Sequence, residues 1–149
     1  MIQFVTFRID ELLFGIDVLK VREINRVLDI TEVQHAPPHI RGLVNLRGQV
    51  VTIFDMGVRL GLNSRTISEE SHNIVLKREP VGLLVDAIGD VVQTREDLIE
   101  HSPANVSGIE SDFMAGVVKQ DNELILILST DRVLNDKALT KPTNGNNGP

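Results

Sequence analysis

The side chains able to do chemistry in this 149-residue chain fall into three groups, and their spacing separates them. His35 and His39 stand four apart, the interval that on a helix would bring two imidazoles together around a metal ion. Pro37 and Pro38 lie between them and exclude that helix, so both are expected to be ordinary surface or loop histidines. His72 and His101 stand alone in polar stretches. The adjacent carboxylates Asp10-Glu11, Glu69-Glu70 and Glu96-Asp97 point in different directions on a strand or a helix, which suits solvated turns better than acid–base pairs. No Gly-rich loop ends in Lys-Ser or Lys-Thr, and no G-x-G-x-x-G occurs. The third group does a different kind of chemistry. Asn45 and Arg47 place an amide and a guanidinium beside the turn of an otherwise apolar segment, and Glu23 is an acid able to pair with Arg47. A guanidinium is a planar fork of five donors and is weakly hydrated, so it suits recognition at a protein contact. With no nucleophile, base and orienting group assembled, the chain reads as a non-enzyme, with no catalytic residues, no cofactor and no metal.

The recognition residues need a rigid support, and residues 39–56 supply one. Leu43, Val44 and Leu46 run in, Arg47-Gly48 turn, and Val50, Val51, Ile53 and Phe54 run out, which is the pattern of a tight β-hairpin. About ten short strands and three helical turns are expected along the chain. Gln3–Ile9 and Glu11–Ile16 form strands around Asp10-Glu11, and Asp17 caps a brief turn through Lys20. Val21–Val27 reads as a strand or as a helix; as a strand it would put Val21, Glu23, Asn25 and Val27 on one face, two valines flanking the acid where a helical partner could dock. Asp55–Leu60 is a short helical turn and Gly61–His72 a mobile loop. Asn73–Glu79 and Val81–Val92 form a second hairpin around Pro80, and Thr94-x-x-Asp97 has the form of a capping box. Ser102–Asp112 is a loop, Phe113–Lys119 and Glu123–Ser129 form a last hairpin, and Thr130 caps a short terminal helix.

Composition supports a β protein. There are 18 Val and 14 Ile against 5 Ala, the reverse of a helical bias. The net charge of −6, five Phe and no Tyr or Trp argue against a nucleic-acid ligand and leave protein partners open. No apolar run approaches the roughly 20 residues of a membrane span, so no membrane insertion is expected. Met1–Phe7 carry no basic region, so no signal peptide is expected, and Asn105-Val-Ser107 reads as a chance match to a glycosylation acceptor. The absence of cysteine fits a reducing compartment.

HIRGLVNLRGQVVTIFDM at residues 39–56 resembles the central motif of the CheW family, the coupling proteins of bacterial chemotaxis. The usual form of that motif is Ile, a basic residue, Gly, two apolar residues and Asn-Leu-Arg-Gly. Phe14-Gly-Ile-Asp17 with Leu19–Ile24, and Val81–Val91 with Asp86, are similar to two further family blocks, so the resemblance covers residues 2–136. One departure is Thr52, where the family commonly has Pro three residues before the Asp at 55; Thr restores a backbone donor to that strand. The resemblance implies two interleaved SH3-like five-stranded barrels with short helical turns and a short C-terminal helix, forming one domain over residues 1–136. It favours the strand reading of Val21–Val27. It also implies a receptor- and kinase-binding set of Val21, Glu23, Ile24, Val27, Gly42, Asn45, Arg47 and Val91, with Val91 as the opposite wall of a groove. Read from the residues alone, Glu23 and Arg47 equally make an ion pair that fastens the hairpin, and Gly42 and Gly48 serve backbone geometry.

The implied function is a cytoplasmic adaptor recruited to membrane-associated receptor arrays. It would couple the cytoplasmic tip of methyl-accepting chemoreceptors to the regulatory domain of the histidine kinase CheA. The alternatives are an adaptor of a parallel chemosensory system governing surface motility or pili, and a small β-barrel ligand-binding protein. Residues 137–149, KALTKPTNGNNGP, have little to bury and are expected to be a disordered tail. Their removal should shift the melting temperature by only about two degrees and leave partner binding intact. Loss of binding on truncation would make the tail a docking element instead.

Overall fold

The Val- and Ile-rich segments become strands of two five-stranded sheets. The computed structural model describes residues 1–27, 29–101, 109 and 111–135, so the expected tail and most of the loop expected at 102–112 lie outside the described residues. The first sheet has the order β8-β1-β2-β10-β9, built from β1 (Ile2–Ile9), β2 (Leu12–Asp17), β8 (Ala87–Thr94), β9 (Met114–Gln120) and β10 (Glu123–Leu128). The second has the order β3-β6-β7-β5-β4, built from β3 (Val21–Arg26), β4 (Ile40–Leu46), β5 (Gln49–Asp55), β6 (His72–Leu76) and β7 (Val81–Val85). Short helices α1 (Met56–Arg59) and α2 (Thr130–Leu134) follow β5 and β10. Backbone pairs at Thr31–Leu43 and Glu100–Val117 join the outermost strands of each sheet, curling each into a barrel.

The interleaving follows from an internal repeat. In each sheet the successive pairings are antiparallel, antiparallel, parallel, antiparallel. The correspondence holds residue by residue. Gly15 pairs with Thr6 and Ile127 as Gly82 pairs with Val75 and Ile53; Ile127 in turn pairs with Gly116 as Ile53 pairs with Gly42. A Cβ on Gly42 would lie 2.3 Å from the Thr31 carbonyl oxygen, and one on Gly116 would lie 2.7 Å from that of Glu100. Each glycine thus makes room for the segment that closes its own barrel. Asp55 and Ser129 are likewise equivalent, each capping the helix that follows through its side chain. The chain therefore runs twice through five strands and a helix. Each half donates its first hairpin, β1–β2 or β6–β7, to the barrel completed by the other half's strands.

Apolar side chains fill three layers. Phe4, Val118, Ile125 and Ile127 occupy the first barrel, and Val44, Leu46, Val51, Ile53, Val75 and Leu84 the second. The largest cluster lies between the barrels and takes residues from both, among them Phe7, Phe14, Phe54, Ile74 and Leu83. Strand β7 is covered on both faces, so it is a nearly continuous apolar run rather than an alternating one.

Several local expectations are corrected. Val81–Val92 is two strands in different barrels, and the chain crosses at Asp86. There the amide donates to the Arg8 carbonyl at 3.0 Å while the carboxylate accepts from the Asp10 amide at 2.7 Å and from Arg65 at 2.9 Å. Thr94 ends β8 and caps nothing; a 3-10 turn at Glu96–Leu98 starts without a side-chain cap. Ser129, not Thr130, caps α2, through the Arg132 amide. Gly61–His72 is not a loose loop, because Arg65 and Ser71 are buried and Leu62 packs on the core. His39 is buried edge-on to Phe54, with ring centroids 4.8 Å apart, rather than lying at the surface. The Thr52 departure behaves as expected, its amide donating to the Pro80 carbonyl at 2.9 Å, a bond Pro cannot make.

Candidate functional site

The β4–β5 turn is short because Leu46 pairs directly with Gln49, leaving Arg47 and Gly48 as its two central residues at φ of 52° and 88°. Positive φ at both positions is the twist-matched hairpin geometry that Gly accepts freely and Arg does not. Asn45 supports it: its Oδ1 accepts from the Gly48 amide at 2.9 Å, so the amide noticed in the sequence is a brace for the turn. Gly42 sits lower on the same strand, pressed against Thr31.

Opposite the turn lies β3, and the sequence misplaced one of its faces. A bulge between Val21 and Glu23 sets Arg22 and Glu23 together against Val75. Val21 and Ile24 pair with Leu76 and Ile74 and pack on the inter-barrel core, while Val27 packs on the second barrel's interior. Val21 therefore does not share the face of Glu23. Glu23 and Asn25 do share one, and their side chains bond at 3.3 Å. The remaining Glu23 oxygen accepts from Arg47 Nη2 and lies 3.3 Å from Arg22 Nη2, and Arg22 in turn donates to Gln49 Oε1 at 2.8 Å. Five side chains thus tie β3 to the hairpin turn. Sequence reading found Glu23 and Arg47 but missed Arg22, Asn25 and Gln49 as their partners; the local signal was Arg22 directly before Glu23 and Asn25 two residues after it.

The electrostatics favour a persistent pair. The hydrogen bond from Arg47 holds the Glu23 carboxyl below the usual carboxylate range against the opposing effect of burial, and the Asn25 bond and the charges of Arg47 and Arg22 act in the same direction. A carboxylate with a lowered folded-state value stabilises the fold at neutral pH, and that contribution disappears as the pH falls through the lowered value. In a carboxyl NMR titration Glu23 should therefore titrate below the exposed glutamates, and Arg47→Gln should move it back toward them. An unchanged Glu23 midpoint in that variant would remove Arg47 as the cause.

Arg47 itself remains open to solvent, with 69% of its side chain exposed, and within the described residues only Nη2 of its guanidinium is bonded. Val50, 54% exposed, stands beside it. Val91, 56% exposed, lies on β8 in the other barrel; it comes from the second half of the sequence but belongs to the sheet of the N-terminal strands. The structure thus joins Glu23, Asn25, Arg47 and the braced turn, buries Val21 and Ile24 in part, and sets Val91 apart.

A second polar cluster, not anticipated from the sequence, aligns the elements behind the site. Asp55 Oδ2 accepts from Arg41 Nη1 at 3.0 Å, Ser64 Oγ at 3.1 Å and the Arg65 amide at 3.0 Å, while Oδ1 takes the Val58 amide at 3.1 Å. Arg65 extends the cluster to Asp10 and Asp86, both at 2.9 Å, linking the second barrel to the first. Among the described residues no group of three or more His, Cys, Asp or Glu is placed to hold a metal ion, and no helix is long and apolar enough to cross a membrane.

Two interleaved barrels with a charged, braced turn beside a bulged strand describe a scaffold-type binding protein. The chain belongs to the CheW-like domain family, whose family model matches residues 3–138. It is 28% identical over 148 residues to the chemotaxis protein CheW of Treponema pallidum, covering 95% of this chain and 87% of that protein. It is 32% identical over 133 residues to the chemotaxis protein CheW of Rhizobium meliloti, covering 88% and 86%. Among solved structures, the scaffolding protein TtCheW from Thermoanaerobacter tengcongensis superposes with a TM-score of 0.82 at 31% identity, covering 90% of this chain and 88% of that one.

Proposed function

We propose that this chemotaxis adaptor joins the cytoplasmic tip of a chemoreceptor to the regulatory domain of a CheA-type histidine kinase, with Glu23, Asn25 and Arg47 at the receptor-facing surface. The observation that carries the reading is the presentation of Arg47. A long cation sits at positive φ on a two-residue turn, is held through one nitrogen by Glu23, and still exposes most of its donors. Strain of that kind persists where the surroundings over-determine it, and a preorganised cation is suited to a partner's carboxylate or carbonyl oxygens. Val50 supplies exposed apolar area on the same hairpin, and Val91 supplies it on the other barrel.

The protein performs no reaction of its own; its part is to hold two partners in one geometry, in the cytoplasm at membrane-associated receptor arrays. Both barrel interiors are filled by aliphatic and aromatic side chains, which supports an adaptor over a barrel that encloses a small polar ligand. The test is co-purification of the full chain with CheA and a receptor cytoplasmic fragment from its own organism. A ternary complex is expected. Failure to bind either partner would overturn the reading.

A further inference from the structure

The residue-by-residue repeat identifies a counterpart in the first barrel for every member of the Glu23–Arg47 contact. In β8, Gly89 and Asp90 stand together in a bulge against Thr6, as Arg22 and Glu23 stand against Val75 in β3. The β9–β10 turn is Asp121-Asn122, at φ of 52° and 65°, where the second barrel has Arg47-Gly48. Glu123 takes the place of Gln49. The chemistry of the tie is therefore removed at both points: Asp90 faces the position of another carboxylate, and Gly89 has no side chain to reach Glu123. Glu123 is bonded instead to Arg8, at 2.7 and 3.0 Å. Nor does Gly89 have room for one, since a Cβ there would lie 2.6 Å from Thr6 Oγ1.

The two barrels consequently close differently. Between β3 and β4 the Thr31–Leu43 backbone pair at one end is joined by the Glu23–Arg47 and Arg22–Gln49 ties at the other. Between β8 and β9, among the described residues, the Glu100–Val117 backbone pair is the only hydrogen-bonded tie, beside the apolar packing of Val92 and Ile99 on the cluster that holds Val118. We infer that the β8–β9 seam of the first barrel opens more readily than the β3–β4 seam of the second, so that β8 is a compliant wall and β3 a fixed one. Local opening is set by how few contacts must be broken, and here one end of a seam has no hydrogen bond or ion pair to break among the described residues. Resting on the adaptor reading, the consequence is a division of labour within the candidate surface. Arg47 and Glu23 present a preset charge, while Val91 rides on a strand that adjusts to the partner.

Hydrogen exchange on the isolated full chain tests this without any partner. Amides of 87–94 should exchange about tenfold faster than their counterparts in 21–26, and those of 114–120 faster than those of 40–46. Grafting the tie with Asp90→Glu and Asp121→Arg should slow exchange in β8, and Arg47→Glu should raise exchange in β3 toward the rate of β8. Equal exchange of the counterpart strands in the unaltered protein would overturn the inference, as would a folded graft that leaves β8 unchanged. If circular dichroism shows the graft unfolded, the unaltered protein and Arg47→Glu still decide the matter. Failure of the adaptor reading would appear in co-purification and would leave these rates untouched.

Discussion

Arg47→Glu is expected to abolish receptor-dependent control of the kinase while the chain stays folded. The residue sits on an exposed turn, so a carboxylate there meets solvent, and what is lost inside the molecule is one tie among several closing the second barrel. The variant also sets two acids against each other at the Glu23 position, which should lower the urea midpoint slightly. Combining it with Glu23→Arg restores opposite charges and separates two roles. If Arg47 only braces the hairpin, the swapped pair recovers both the urea midpoint and receptor-stimulated phosphorylation of CheA. If Arg47 meets a partner, the swapped pair recovers the midpoint and still fails to couple, because the partner faces the wrong sign of charge. The second outcome is expected; full rescue of phosphorylation would make the contact purely structural.

Asp55→Ala should cause the largest loss of stability of any single surface-to-core polar change, about 3 kcal/mol or more. Its carboxylate is almost fully buried and accepts four hydrogen bonds from Arg41, Val58, Ser64 and Arg65. Alanine would leave the Ser64 hydroxyl and the Arg65 amide without their acceptor, leave Arg41 only its bond to the Arg65 carbonyl, and remove the cap of α1. Asp55→Asn tests charge separately from shape: it can retain the Val58 cap but forfeits the ion pair with Arg41. Urea denaturation of both variants gives the comparison, and an Asp55→Ala midpoint within error of the unaltered protein would show that the cluster is incidental.

The fold was legible chiefly because its most distinctive segment is local. A hairpin with a two-residue turn is set by neighbours in sequence, so residues 39–56 could be read correctly from alternation and from Arg47-Gly48. Non-local features were hidden for identifiable reasons. The crossing at Asp86 separates two apolar runs with a single polar residue, and nothing in periodicity distinguishes one long strand from two strands in different sheets. The bulge at Arg22 shifts the phase of β3 by one residue, which moved Val21 off the face shared by Glu23 and Asn25. The internal repeat left few traces, such as Gly15 with Gly82 and Gly42 with Gly116, because equivalent strands conserve close approaches of backbone rather than side chains. At the candidate site the two charges were visible and their three polar partners were not, since those partners meet Glu23 and Arg47 only once β3 folds against the turn.

The exchange of first hairpins between the two halves also governs how the chain can acquire its structure. During synthesis the first five strands emerge before β6, yet β1 and β2 must wait for β10, over a hundred positions later, while β3 to β5 must wait for β6 and β7. Neither barrel can close from one half alone, and the shared layer of apolar side chains forms only when both do. Such high contact order slows folding and makes it all-or-none. A backbone cut in the 61–71 connection would produce two pieces, each an incomplete set of strands. They would remain unstructured apart and regain the fold on mixing, in a process whose rate depends on their concentration.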